Sequence, residues 1–154
     1  MQHKKLIVIV GPTAVGKTDL AISVAKHFGT EIISAESRQM FRELSIGTAK
    51  PTAFQQSVVP HHFVGTHSIH QVYDAAQFGQ EALSLINQLF EKYNIVVLCG
   101  GSGLYVIAVC EGFDDIPKIP DQVRETLIQD YEKFGIEILQ EHMKKLDPVH
   151  FARI

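Results

Sequence analysis

The chain has 154 residues and a formal net charge of −3, with 45% hydrophobic and 20% charged residues. That length fits one domain, or one domain and a piece of another, and can bury a core of useful size. The acidic balance gives no compositional support for nucleic-acid binding, so any RNA contact must come from local positive charge or from residues beyond these.

The two cysteines, Cys99 and Cys110, have neither CxxC nor metal-ligand spacing and read as small apolar side chains of a reduced protein. Leu6 to Val10 is a continuous aliphatic run. It is too short to span a bilayer and ends in Gly-Pro without a signal-peptide cleavage site, so no membrane role and a cytoplasmic location are expected. The same run predicts a strand buried on both faces, as in a parallel sheet. After a glycine loop, Leu20, Ala21, Val24, Ala25 and Phe28 recur at helical spacing, and Gly29 stands where the helix should stop. Glu31 to Ser34 predicts a second strand and His62 to Thr66 a third.

Asp74 and Gln77 form a capping box ahead of an apolar stripe through Phe78, Ala82, Leu85, Ile86, Leu89, Phe90 and Tyr93. Ile95 to Cys99 predicts another buried strand, which runs into Gly100-Gly101-Ser102-Gly103 and a further helix. The order predicts an α/β fold of the P-loop NTPase-like kind: a mostly parallel sheet with helices on both faces and ligands beyond the carboxyl ends of the strands. Both glycine loops fall at those ends.

The character changes at Pro117. Residues 1–116 read as the α/β core and 117–154 as the start of a helical subdomain. Pro117 and Pro120 bracket a linker, and Asp121 is placed to cap a helix whose Val123, Leu127, Tyr131 and Phe134 share one face. A second helix carries Ile138, Leu139, His142, Met143 and Leu146, and Asp147-Pro148 reads as an N-cap with proline at N1 of a third.

Gly11-Pro12-Thr13-Ala14-Val15-Gly16-Lys17-Thr18 matches GxxxxGK[ST] in full, between a strand and a helix. The glycines let backbone N–H groups turn toward phosphate oxygens, and the helix N-terminus adds partial positive charge. Lys17 brings a full charge, and the Thr18 hydroxyl suits Mg²⁺. Glu36, at the carboxyl end of the second strand, fits a metal-bound water, a general base, or a plain turn cap. Arg38 and Lys50 are either ligand contacts or solvated charges. His61 and His62 are adjacent on a strand and cannot face one metal together, which favours a structural role. Tyr105 and Phe113 read as core.

The runs GPTAVGKT, ESRQMF, IGTAKP, HHF, YDAAQF and GGSGLY occur in that order. Together they resemble the tRNA dimethylallyltransferase family from about Leu6 to the end of the chain. The resemblance implies transfer of a dimethylallyl group from dimethylallyl diphosphate to N6 of the adenosine beside the anticodon, with Mg²⁺ as cofactor and the tRNA anticodon stem-loop as partner. It implies that Thr13 to Thr18 hold the donor diphosphate, within a nucleotide-binding segment Gly11 to Thr18. Glu36 matches an aspartate used as general base, and Ser37, Arg38 and Gln39 continue that contact with tRNA. Ser102 matches a threonine near the transferred group, and Arg124 an arginine that contacts tRNA. Lys17, Glu36 and Ser102 are thus the implied catalytic set, on an enzyme expected to be monomeric at full length.

Family members run to about twice this length, so the chain is expected to be a fragment. Three other readings stay open: an isopentenyltransferase acting on free adenine nucleotides, a P-loop kinase of a small metabolite, and a non-catalytic remnant. IGTAKP and GGSGLY disfavour the kinase, and Arg124 disfavours the free-nucleotide enzyme.

Overall fold

The computed structural model describes residues 3–114, 117 and 119–154. They divide into two compact units, Met1–Phe113 and Asp114–Ile154. The boundary expected at 116/117 touches Ile116, which lies outside the described residues.

The first unit holds β1 (Lys5–Val10), α1 (Lys17–Phe28), β2 (Ile32–Ser34), α2 (Ala53–Val58), β3 (His61–His62), α3 (Ala75–Lys92), β4 (Ile95–Gly100) and α4 (Gly103–Cys110). The strands form one sheet in the order β1-β4-β2-β3, and every pairing is parallel. Alternation of side chains along the strands gives the sheet two apolar faces. Ile33, Val96 and Leu98 pack with Phe78, Ala82, Ile86 and Leu89 of α3 and with Tyr105 and Val109 of α4. Ile32, Val97 and Cys99 face the other way, toward Ala21 and Ala25 of α1 and toward Val59.

Central β4 is buried from Val96 to Gly100, as its unbroken apolar run predicts. β1 departs from that expectation: Val8 and Val10 are 37% and 59% exposed. The cause is position, since β1 pairs with β4 on one side and with no other strand among the described residues. β3 is also shorter than expected. Phe63 and Gly65 take φ of +60° and +64°, left-handed values at which a strand cannot continue.

Helix ends follow their chemistry. Gly29, at φ +60°, closes α1, and Asp74 and Gln77 form the expected reciprocal box at the start of α3. α2 was not expected, because its six residues bury nothing and carry no period. Its signal was the second capping box, Thr52 with Gln55. α3 lies so close to α4 that a Cβ on Gly79 would stand 2.9 Å from the Ala108 carbonyl oxygen.

The second unit is α5 (Asp121–Phe134), α6 (Ile136–Leu146) and α7 (Pro148–Phe151). Asp121 is the first residue of α5 and makes no cap hydrogen bond; the N-cap is Pro120. Gly135, at φ +78°, separates α5 from α6. The Asp147 carboxylate accepts from the His150 amide at 2.8 Å with Pro148 at N1, as the sequence suggests. Among the described residues, no helix is long and apolar enough to cross a membrane.

Candidate functional site

The phosphate loop leaves β1 at Gly11 and enters α1 at Lys17. Gly16 is the N-cap at φ +90°, with no side chain satisfying the first amides of the helix. Ala14 also sits in the left-handed region, at φ +65°. A non-glycine residue held there marks a loop whose curvature is imposed by its surroundings. The free amides and the positive end of the α1 dipole are what an anion requires.

Lys17 is only 9% exposed. Its ammonium donates to the Pro12 carbonyl at 2.7 Å and lies 3.6 Å from Glu36 Oε1. The backbone explains how Glu36 arrives there. Ala35 donates to the Cys99 carbonyl at 2.8 Å, and Ser102 donates back to the Ala35 carbonyl at 3.2 Å, so the loops after β2 and β4 are laced together. The approach demands glycine. A Cβ on Gly100 would fall 2.1 Å from the Ala35 oxygen; one on Gly101 would meet the Gly11 carbonyl at 2.9 Å and Glu36 Oε1 at 3.1 Å. Both glycine loops and Glu36 therefore meet at one point.

Two cavities lined by Glu36 adjoin that point. The larger, about 350 Å³, is lined by Thr13, Ala14, Gly16, Lys17, Thr18 and Asp19, by Ile32, Ser34 and Cys99 of the sheet, and by Lys50, Pro51, Gln55 and His61. The smaller, about 150 Å³, is lined by Thr13, Glu36, Ser37, Arg38, Gln39, Gly47, Thr48, Gly101 and Ser102. Thr13, Glu36 and Gln39 line both.

Ser102 Oγ accepts from the Ser37 amide at 2.9 Å and donates to Ser37 Oγ at 3.1 Å, fixing the turn after Glu36. Arg38 is exposed at the rim. Gln39 is 7% exposed, and its carboxamide is committed inside the protein. It accepts from Ser34 Oγ at 3.1 Å and donates to the carbonyls of Thr48 and Ala49 at 3.1 and 2.9 Å. Arg124 is exposed on α5, in the second unit.

Other side chains differ from their sequence reading or were not singled out. Phe113 is 44% exposed, whereas Tyr105 is core as expected. Lys50 donates to the Phe41 carbonyl, which ties the IGTAKP segment to the end of the ESRQMF segment. Gln55 reaches Asp19 at 3.0 Å from the unforeseen α2. Burial pushes the Cys99 thiol up to about 11, against the lowering effect of the Lys17 charge, so it stays a protonated thiol. His61 Nδ1 contacts the Val59 carbonyl at 2.7 Å, and its buried Nε2 has no partner. Burial lowers the pKa of that ring, with the Val59 bond opposing and the His62 charge adding to the effect.

The donor set fits a hard cation held mainly by ligand oxygens and water. Thr18 and Asp19 place a hydroxyl and a carboxylate, both oxygen donors, on the wall of the larger cavity.

A parallel sheet with this loop at the carboxyl end of its first strand defines a P-loop NTPase-like protein. The sequence pattern of the IPP transferase family matches residues 39–154. The chain is 49% identical over 152 residues to a tRNA dimethylallyltransferase of Cytophaga hutchinsonii, covering 99% of this chain and 50% of that protein. It is 49% identical over 151 residues to that of Flavobacterium johnsoniae, with 98% and 49% covered. Among solved structures it is similar to the tRNA isopentenylpyrophosphate transferase of Bacillus halodurans, with 37% identity, a TM-score of 0.70, and 98% and 50% covered. A eukaryotic dimethylallyltransferase acting on tRNA shares the fold at 24% identity and a TM-score of 0.79. The chain belongs to the IPP transferase family, and it spans about half the length of the curated relatives it matches.

Proposed function

We propose that this chain carries the donor site and the base of a tRNA dimethylallyltransferase. The observation that supports this most is the meeting of Lys17 and Glu36, 3.6 Å apart, where the two cavities join. One cavity offers a phosphate loop, and the other a small pocket walled by a carboxylate. That is the arrangement needed to bring a diphosphate ester to an amine.

In this reading the diphosphate of dimethylallyl diphosphate sits against Thr13 to Thr18, with the Lys17 ammonium on its oxygens. The flipped adenine of a tRNA anticodon loop enters the smaller cavity between Glu36 and Ser102. N6 attacks the allylic carbon, a C–N bond forms, and the C–O bond breaks with its electron pair going to pyrophosphate. The N6 proton passes to the Glu36 carboxylate. Charge grows on the leaving group, where Lys17 and the amides of the loop already stand. Thr18 would hold Mg²⁺, which supplies further charge neutralisation to the diphosphate when bound. Arg38 and, from the second unit, Arg124 are proposed tRNA contacts, and the setting is the cytoplasm.

The test is a pair of acceptors with one donor. Dimethylallyl diphosphate is supplied with either an anticodon stem-loop or adenosine monophosphate, and prenylated product is read by mass spectrometry in wild type and Glu36→Gln. Product on the stem-loop that depends on Glu36 supports the reading. Product on the free nucleotide alone assigns the site to adenine-nucleotide chemistry instead.

A further inference from the structure

We propose that Ile46 is a wedge that enters the anticodon loop and holds the target adenosine out of its stack. The inference rests on the reading of the chain as a tRNA prenyltransferase. Ile46 is 96% exposed. A single exposed apolar side chain is ordinary on a protein surface. What sets this one apart is the rigidity of the turn that presents it.

Four side chains strap that turn. The Thr48 hydroxyl donates to the Leu44 carbonyl at 3.0 Å, and Ser45 donates to the Arg42 carbonyl at 3.3 Å. Buried Gln39 holds the carbonyls of Thr48 and Ala49, and Lys50 holds that of Phe41. Gly47 and Ala49 are both left-handed, at φ +73° and +50°, and for alanine that conformation carries a steric cost. Here the strained, tied backbone keeps Ile46 outside.

Its position supplies the occupant. The next two residues, Gly47 and Thr48, line the small cavity with Glu36 and Ser102, so Ile46 stands one residue from the rim of the proposed acceptor pocket. Arg38 lines the same cavity, is exposed, and makes no ion pair with a described residue, which suits an RNA phosphate. An adenosine drawn into the pocket leaves a gap between its neighbours in the stack, with apolar base faces uncovered. Stiff aliphatic side chains fill such gaps in nucleic acids, and isoleucine has little χ1 freedom to lose. A protein partner would need a broader apolar patch than one side chain.

The test uses an anticodon stem-loop carrying 2-aminopurine at the target position, mixed at low salt with wild type, Ile46→Ser and Ile46→Leu, without prenyl donor. Wild type should raise the fluorescence as the base unstacks. Ile46→Ser should bind the RNA within about threefold of wild type by anisotropy, because phosphate contacts carry most of the affinity. Its fluorescence rise should fall at least about fivefold, because base extrusion is what the wedge supports. Ile46→Leu should restore most of the rise. Equal fluorescence from Ile46→Ser and wild type overturns the proposal. So does a parallel loss of binding and fluorescence, which would make Ile46 a plain contact. Absence of any stem-loop binding by wild type overturns the tRNA reading and the wedge with it.

Discussion

Lys17 is the one charged residue of the phosphate loop, and its ammonium already lies between the Pro12 carbonyl and Glu36. Losing a charge-assisted contact to a di-anionic or tri-anionic ligand costs about 2 kcal/mol or more, so Lys17→Ala should weaken dimethylallyl diphosphate binding at least about tenfold in calorimetry. Glu36 is assigned a different task. In a catalytically complete, full-length version, Glu36→Gln should lower turnover strongly while donor affinity changes little, and Glu36→Asp should retain or raise activity. Wild-type turnover in Glu36→Gln would remove it as the base. Lys17 was legible through the GxxxxGK[ST] pattern at the start of a helix, and Glu36 through its place just past the second strand together with the family resemblance. The role of Gln39 was not. Read as a tRNA contact, it turns inward to hold Thr48 and Ala49. Nothing in a run of polar residues says which side chain faces the protein.

At the scale of elements, capping chemistry and apolar period located α1, α3, β4 and the helices of the second unit. Shortness hid α2, which buries nothing, and it displaced β3, expected at His62 to Thr66, to two paired residues before Phe63 turns the backbone left-handed. The contact of α3 with α4 depends on Gly79, so Gly79→Ala should destabilise by about 1–3 kcal/mol through overpacking. Urea unfolding measures this, and an unchanged midpoint would mean the helices separate freely.

A second element-scale prediction concerns Glu31, whose carboxylate accepts from Tyr93 at 2.9 Å and meets His62 Nε2 at 2.6 Å, tying β2 and β3 to the end of α3. Burial works to raise its pKa, but the His62 and Tyr93 hydrogen bonds and nearby positive charge outweigh this and hold it below 4.5. A carboxylate depressed in the folded state contributes stability that is complete above its ordinary pKa and is lost as the pH falls through the folded value. Glu31→Gln should therefore melt below wild type at pH 7, with the gap closing as the pH drops beneath 4.5. A gap of constant size would show that the carboxylate's charge contributes nothing.

Across the whole molecule, the site is a property of the first unit. Both cavities, both glycine loops and Glu36 lie within Met1–Phe113, while Arg124 lies in the second unit. The sequence indicated the class of site through the phosphate loop and the kind of chemistry through IGTAKP and GGSGLY. It did not show why those segments recur together. In the fold, the loop after β4 laces to the end of β2, and the IGTAKP turn is tied to Gln39 beside them. Long-range pairings of this kind leave no local period to read.

The claim that organises all of this is that the phosphate loop serves a prenyl donor and not a nucleotide triphosphate to be cleaved. Calorimetric titration of the chain with dimethylallyl diphosphate and, separately, with ATP, both with Mg²⁺, tests it directly. The account predicts saturable binding of dimethylallyl diphosphate that Lys17→Ala weakens. Tight binding of ATP with no binding of dimethylallyl diphosphate would contradict it and return the site to the P-loop kinases.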